Sequence, residues 1–360
     1  MRGRHLCTPS VLLSVSLALF LAGCGNSSGT PAKPGAQGRF IILMNGESPF
    51  WDAVRVGMNE AGKQLGVTVV LEPNSEGPAG QIQKLRQFGT QSDIAGVAVC
   101  PADAANASLV DEMRKLHDRG IAIITVDSDV DRQKFRDARF AFVGTDNYAG
   151  GVTLGTAARH LVPQGGAYVQ FVGRTGAQNA IDRMNGVKAG AGDQLVERDR
   201  MGDENDRTRA RENVRNAIRN HPDVNLLVGI WSYNAPAIAE VLRELGKEDS
   251  IVAVAFDAEQ QALNDLEAGS LKALVVQNPY EMGYQSIRLL KALVTDDRAT
   301  IAEMLPNQGQ PDGDLYDTGL KVVVPGENSP LRPEMFDAKT QFMTLDQMRA
   351  WLAKYHLNAS

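Results

Sequence analysis

The chain has 360 residues, 43% of them hydrophobic and 22% charged, with a formal net charge of −6. This is ordinary globular composition with length enough for two domains, and the acidic balance argues against a nucleic-acid partner. The five histidines, His5, His117, His160, His221 and His356, stand far apart without metal-ligand spacing, so no metal or cofactor is expected.

Arg2 and Arg4 precede an apolar run of 12 residues, Val11 to Ala22, too short to span a bilayer core of about 30 Å as a helix. The run ends Leu21-Ala22-Gly23-Cys24, and Gly25-Asn26-Ser27-Ser28 follows. This resembles a bacterial lipobox, in which small residues suit the peptidase and the thiol of Cys24 takes the lipid. Residues 1–23 are therefore read as a lipoprotein signal peptide. Residues 24–38, rich in Gly, Ser, Pro and Ala, are read as a flexible tether. With Cys7 removed and Cys24 capped, Cys100 stands alone, and no intrachain disulfide is expected even in an oxidising compartment.

From Arg39 onward, apolar runs of about five residues alternate with amphipathic runs of 12 to 17. The spacing predicts strands near 40–44, 67–72, 95–100, 121–126, 140–143, 167–172, 194–198, 225–230, 251–256, 272–276 and 320–324. It predicts helices near 50–64, 78–91, 103–118, 147–161, 179–192, 206–220, 235–246, 258–268 and 279–295. Such alternation points to parallel sheets with helices on both faces. The strands are too many for one doubly wound domain of this length, so two similar α/β units are expected. Between 126 and 143 two strands follow without a helix, and that region is read as a crossing between the units.

In the helix from Pro279, Gly283, Ile287, Leu290 and Val294 make one buried stripe. The segment 206–220 carries Arg207, Arg209, Arg211, Arg215 and Arg219. Ala210, Val214 and Ala217 form a separate stripe, and nearby acids offset the charge, so it reads as a solvated helix face. Residues 326–360 are read as a tail. Its Leu345–Leu352 segment is helical, with Leu345, Met348 and Leu352 on the face that packs on a domain surface.

The first strand ends in a polar turn and two adjacent aromatics, Phe50 and Trp51. Pro49 stops the strand, and Ser48 is read as the N-cap of the next helix. Ligands of open α/β sheets bind beyond the carboxyl ends of the strands. There the aromatic pair either stacks on the flat face of a sugar ring or plugs core. Other strands also end in polar residues. Asp127 follows Val126, Asp257 follows Phe256, Gln277 follows Val276, and Trp231 and Asn234 follow Ile230; Arg183 lies in the helix after strand 167–172. Taken singly, each suits a structural role such as a helix cap. Together they would give one rim two acids, a guanidinium, two amides and aromatic rings. That set matches a polyol: carboxylates accept from hydroxyls, guanidinium donates to them, and amides do both.

Two other motifs are weaker. Asp127, Asp129 and Asp131 mimic the start of a calcium loop, but Arg132 stands where that loop needs glycine and Ala138 where it needs glutamate. Gly173-Arg174-Thr175-Gly176 lies between a strand and a helix and reads as a tight turn rather than a phosphate cradle.

From about Arg39 to Val324 the chain resembles the periplasmic sugar-binding proteins of the ribose-binding type. The carrying segments are Glu47-Ser48-Pro49-Phe50-Trp51, Ile124-Thr125-Val126-Asp127, Gly144-Thr145-Asp146-Asn147, Asp182-Arg183-Met184-Asn185-Gly186, Val254-Ala255-Phe256-Asp257 and Val276-Gln277-Asn278-Pro279. The resemblance implies the periplasmic binding protein type I architecture, two Rossmann-like doubly wound α/β domains joined by a three-crossing hinge. The N-terminal lobe is expected at 39–144 plus 278–310 and the C-terminal lobe at 145–277 plus 311–325. The implied role is not enzymatic. A monomer, held by its lipid on the periplasmic face of a bacterial membrane, binds a monosaccharide or similar polyol between its lobes and delivers it to the permease of an ABC importer.

Carried over residue by residue, Phe50 and Trp51 sandwich the sugar with an aromatic of the other lobe, for which Trp231 is chosen. Asp127, Arg183, Asp257 and Gln277 match ligand-contact positions. Ser48 stands where the family often has a ligand-binding amide, and Asn234 is taken as the amide after Ile230. Ser128 replaces an Arg frequent in the family, which removes one donor and puts ribose in doubt. In a competing reading the same fold presents its ligand to a membrane signalling receptor. A glycosidase with Asp127 and Asp257 as paired carboxylates is disfavoured, because donors such as Arg183 lower an acid's pKa.

Overall fold

A computed structural model of the protein describes residues 38–359. The signal peptide, Cys24 and all of the tether but Gly38 lie outside the described residues. Strand and helix alternate from the start: β1 (Arg39–Leu43), α1 (Phe50–Leu65), β2 (Thr68–Glu72), α2 (Gly77–Gly89), β3 (Ile94–Val99), α3 (Ala107–Asp118), β4 (Ala122–Val126), the one-turn α4 (Arg132–Phe135) and β5 (Phe142–Gly144). The chain continues with α5 (Asn147–Leu161), β6 (Gly166–Val172), α6 (Gln178–Ala191), β7 (Leu195–Gly202), α7 (Arg207–Asn220), β8 (Val224–Gly229), α8 (Asn234–Glu244), β9 (Val252–Phe256), α9 (Gln260–Ala268) and β10 (Ala273–Val276). It ends with α10 (Pro279–Thr295), α11 (Arg298–Met304), β11 (Leu315–Asp317), β12 (Lys321–Val324), β13 (Gln341–Thr344) and α12 (Leu345–Lys354).

The strands form two sheets, ordered β11-β5-β4-β3-β1-β2 and β13-β12-β10-β9-β8-β6-β7. All pairings are parallel except β10 with β12. β3 is buried along its whole length, as its unbroken apolar sequence requires of a parallel strand covered on both faces. α10 returns to the first sheet, packing on α1 and on β3, β4 and β5, while α5 packs on α6 and on β9 and β10. This is the periplasmic binding protein type I fold, two parallel-sheet α/β lobes. The chain passes between the lobes after β5, after β10 and after β11.

Three expectations are corrected. The 126–143 region is not a crossing, because β4 and β5 lie side by side in one sheet. Their connection is α4 and a short 3-10 turn, too brief to show a helical period. The third crossing is not at 310/311. β11 pairs with β5, and Asp314 just before it takes ion pairs from Arg136 and Arg139 of the first lobe, so the chain changes lobes only at Thr318–Leu320. Residues 326–360 are not an appendage, since β13 extends the second sheet beside β12. Leu345, Met348, Leu352 and Leu357 enter the second lobe's core. Beyond α12, the Tyr355 ring lies 4.4 Å from that of Tyr280 in the first turn of α10. The Lys321 ammonium stands 4.2 Å over the Trp351 ring. The tail thus bears on the chain just past the second and third crossings.

α5 and α6 lie almost backbone to backbone. A Cβ on Gly151 would stand 2.2 Å from the Arg183 carbonyl oxygen, and one on Gly186 would stand 2.2 Å from that of Tyr148. Only glycine permits this approach, and it fixes where α6 presents its first two turns. The stripe on α10 is as expected for Gly283, Ile287 and Leu290, which are buried, with Val294 half-buried. On α7 only Ala210, Val214 and Ala217 are buried, which leaves its arginines on a solvated face.

Candidate functional site

Asp127 and Asp257 occupy corresponding corners of the two lobes. Each follows the end of a central strand, β4 or β9, and each has left-handed backbone, with φ of 60° and 65°. Each N–H donates to a carbonyl of the neighbouring strand, Asp127 to Val143 at 3.1 Å and Asp257 to Val275 at 2.8 Å. Aspartate enters this region more readily than most residues, at a cost of roughly 1–2 kcal/mol. The corner turns the carboxylate out of the sheet end and into the gap between the lobes.

Eight of the nine residues expected at the site line this gap: Ser48, Phe50, Trp51, Asp127, Arg183, Trp231, Asp257 and Gln277. Asn234 does not. Its side-chain oxygen accepts from the Trp231 N–H at 3.0 Å and its amide donates to Asp203 at 2.9 Å, so it fastens the loop behind the wall. Ser48 caps nothing: the N-cap of α1 is Pro49, without a side-chain bond. Phe50 and Trp51 are both buried in the first lobe's core and both reach the gap. Their rings meet edge to face, with centroids 5.4 Å apart and planes at 87°. Two perpendicular rings cannot both lie flat on one sugar face, so at most one stacks. Trp231 closes the opposite wall. It seats over Gly173, where a Cβ would come within 2.2 Å of its ring.

Polar atoms in the gap are well placed but incompletely paired. Arg183 donates through Nε to Asn147 Oδ1 at 2.9 Å and through Nη1 to the Ile230 carbonyl at 3.1 Å, and its guanidinium lies 4.4 Å over the Phe256 ring. Gln277 Nε2 donates to Asp257 Oδ1 at 3.0 Å. Asp127 Oδ2 accepts from the Cys100 thiol and from Asn179 Nδ2, each at 3.3 Å. Four buried atoms remain without a partner: the donors Arg183 Nη2 and Trp231 Nε1, and the acceptors Gln277 Oε1 and Asn179 Oδ1.

Burial pushes the Asp257 carboxyl up to about 6, outweighing Arg183 and Gln277, which pull the other way. Asp127 is raised by burial too, against the opposing pull of Arg183 and the Cys100 thiol. The expectation that Arg183 would hold these acids low is therefore reversed: desolvation wins. Burial and the Asp127 charge push the Cys100 thiol well up.

Behind Trp231, Asp203 is fully buried and gathers the second lobe's wall. It accepts from the Tyr233 hydroxyl, from Asn234, and from the Asn205 N–H at 2.9 Å. Burial still raises it to about 6. Glu204 and Asn205 both have positive φ, a turn that delivers Asn205 to the gap. Asn45, Asn179, Asn205 and Tyr233 line the gap and were not anticipated. Asn45 and Asn205 follow the ends of β1 and β7, and Asn179 lies one turn before Arg183 on α6, so the rule that found the others could have found these.

The calcium-like triplet serves other ends. Asp129 accepts from the Thr125 hydroxyl at 2.6 Å and from Arg139 Nε at 3.0 Å, and Asp131 caps α4. Among the described residues no cluster has metal-binding composition, and no helix is long and apolar enough to cross a membrane.

With this geometry, residues 40–298 match the periplasmic binding protein domain family, and the chain belongs to it. The D-allose-binding periplasmic protein of Escherichia coli K12 is 25% identical over 289 residues, 78% of this chain and 90% of that one. The ribose import binding protein RbsB of Bacillus subtilis is 23% identical over 280 residues, 76% of this chain and 88% of that one. Among solved structures, a solute binding protein of an ABC transporter from Burkholderia graminis, in complex with D-arabinose, superposes with a TM-score of 0.70 at 24% identity, covering 81% of this chain and 96% of that one.

Proposed function

We propose that the protein binds one monosaccharide or similar polyol between its lobes and delivers it to an ABC importer, from a bacterial membrane to which a lipid on Cys24 anchors it. The observation that carries this reading is the set of four buried, unpartnered polar atoms beside the carboxylates of Asp127 and Asp257 and four aromatic side chains. A buried polar atom left without a partner costs roughly 1–3 kcal/mol. A guest with several hydroxyls on an apolar ring satisfies donors and acceptors together while its C–H face meets a ring. The cavity between the lobes is about 50 Å³, which suits a small guest, and entry requires the lobes to part. The named binding relatives support the same reading, and support a binder rather than an enzyme. Asp127 and Asp257 then act as acceptors, and aryl glycosides incubated with the protein are expected to yield no product.

The test is thermal shift and calorimetry on the chain lacking residues 1–37, with D-allose, D-ribose, D-arabinose, D-fucose and inositols. At least one is expected to raise the melting temperature and to titrate with one-to-one stoichiometry. If no member of the panel does either, the sugar reading fails. Sugar uptake lost on deletion, with a permease co-purifying, tests the importer.

A further inference from the structure

Three residues that line the gap, Asn205, Trp231 and Tyr233, hang on one carboxylate behind them. Asp203 is buried, at 0% exposure, directly past the end of β7. Every partner it has is a donor. Its Oδ1 takes the Tyr233 hydroxyl and the Asn205 N–H, and its Oδ2 takes Asn234 Nδ2. The Asn234 amide oxygen in turn holds the Trp231 N–H at 3.0 Å. Two of these partners cannot reverse their role. A backbone N–H only donates, and turning the Asn234 amide over would release Trp231. The Tyr233 hydroxyl can both donate and accept. It has a single hydrogen and two acceptors in reach, Asp203 Oδ1 and, at 3.3 Å, Asn205 Oδ1.

We infer that Asp203 is a positioning residue for the second-lobe wall, and that Tyr233 relays its protonation to the gap. With Asp203 ionised, the hydroxyl donates to it, and Asn205 Oδ1 is left open. With Asp203 protonated, the added proton is donated to the Tyr233 oxygen, and the hydroxyl hydrogen turns to Asn205 Oδ1. The gap then loses an acceptor, while the bonds from Asn205 N–H and Asn234 to Asp203 stay in place. The effect on a guest rests on the gap being the ligand site. The charged groups facing this trio come from four elements. Glu204 lies on the same turn, and Arg174, before α6, stands 3.7 Å from it. Arg207 of α7 lies 5.3 Å over the Tyr233 ring and pairs with Glu259, just before α9.

The test follows the chain lacking residues 1–37, isotope-labelled at asparagine nitrogen and free of sugar, by magnetic resonance from pH 8.5 to pH 4.5. In the unaltered chain the Asn205 backbone N–H and the Asn205 side-chain amide are expected to shift together, with a midpoint near 6. In Asp203→Asn neither should shift. In Tyr233→Phe the backbone N–H should still shift with Asp203 while the side-chain amide stays still, a split that a merely structural tyrosine would not produce. A side-chain amide that keeps step with the backbone N–H in Tyr233→Phe overturns the inference, as does a titration that survives in Asp203→Asn. Affinity is then measured for whichever sugar of the panel above binds. From pH 7.5 to pH 5.5 it should fall about fourfold more in the unaltered chain than in Tyr233→Phe, the factor set by an acid titrating near 6 when only its ionised form leaves the acceptor open. Asp257 is common to both chains and drops out of that ratio. An equal fall in both chains overturns the inference as well. If no sugar binds the unaltered chain, the sugar reading fails, and the amide signals of the empty protein still decide the Asp203 relay.

Discussion

Arg183 Nη1 stands 3.8 Å from Asp257 Oδ2. That is too long for a hydrogen bond and short enough for the charges to act on each other. The acid is held by Gln277 on its other oxygen, while the arginine spends its bonds on Asn147 and a carbonyl. An opposed pair kept just out of reach is poised for a hydroxyl that accepts from one and donates to the other. Asp257→Asn should therefore abolish sugar-induced stabilisation. With the acid raised to about 6, its ionised form at pH 7 costs the fold on the order of 3 kcal/mol. The empty variant should then melt a few degrees above the unaltered chain. Calorimetry with and without sugar decides this, and an undiminished sugar-induced shift removes Asp257 from the site.

The same burial sets a pH dependence. Asp257 and Asp203, both near 6, keep their protons in the folded state to higher pH than in the unfolded chain, and Asp127 shifts in the same direction. From these groups the empty protein gains stability as pH falls from about 6 toward the ordinary aspartate range, and loses it again as pH rises through 6. Protonating Asp257 also removes a charged acceptor, so sugar affinity should fall over the same window. Asp314 works the other way. Although burial opposes it, Arg136 and Arg139 hold it down at about 2, and its contribution is lost as pH falls below the ordinary aspartate range. Melting curves from pH 7.5 to 4.5 should show the empty and sugar-bound traces converging; parallel traces would contradict the assignment of Asp257.

Gly151→Ala or Gly186→Ala should disturb the site from behind. Each adds a Cβ where a carbonyl oxygen stands 2.2 Å away, so α5 and α6 must separate. Overpacking of this kind costs roughly 1–3 kcal/mol. Because α6 carries Asn179 and Arg183, a loss of sugar affinity should accompany a lower melting temperature. A variant with both quantities unchanged would show that the helix pair has slack.

Ending the chain at Gly326 should be severe. It removes β13 and α12, and uncovers the second-lobe core that Leu345, Met348 and Leu352 close. A far lower melting temperature, or failure to fold, is expected by circular dichroism. Tyr355→Ala removes one half-buried ring, set at a tilt against Tyr280 and Trp351, and should lower the melting temperature far less than the truncation. A truncated chain as stable as the full one would show the tail to be dispensable.

The strand-end rule made most of the site legible. Asp127, Asp257 and Gln277 announce themselves as polar residues directly after buried apolar runs, and Phe50 and Trp51 open the first helix. Asn234 was chosen over its neighbours because an amide fits a polyol, yet the direction of its side chain depends on Asp203, which no local pattern reveals. Ring orientation was equally hidden, since 87° between Phe50 and Trp51 is a packing result. The pKa direction at Asp257 failed because sequence shows a neighbouring arginine but not the extent of burial. β11, with three residues, and α4, with four, are too short to carry a period. β11's place is set by a carboxylate, Asp314, that binds arginines about 175 positions away in the chain.

Three residues that line the gap, Asp127, Asn205 and Asp257, stand on left-handed backbone. At such corners the main chain chooses the vocabulary: aspartate, asparagine and glycine fit best, while a β-branched residue such as valine would strain the turn before touching any guest. Drift or design toward a new guest is therefore steered to Ser48, Asn179 and Trp231, whose backbones impose no such censorship, while the acidic corners change only within that small alphabet.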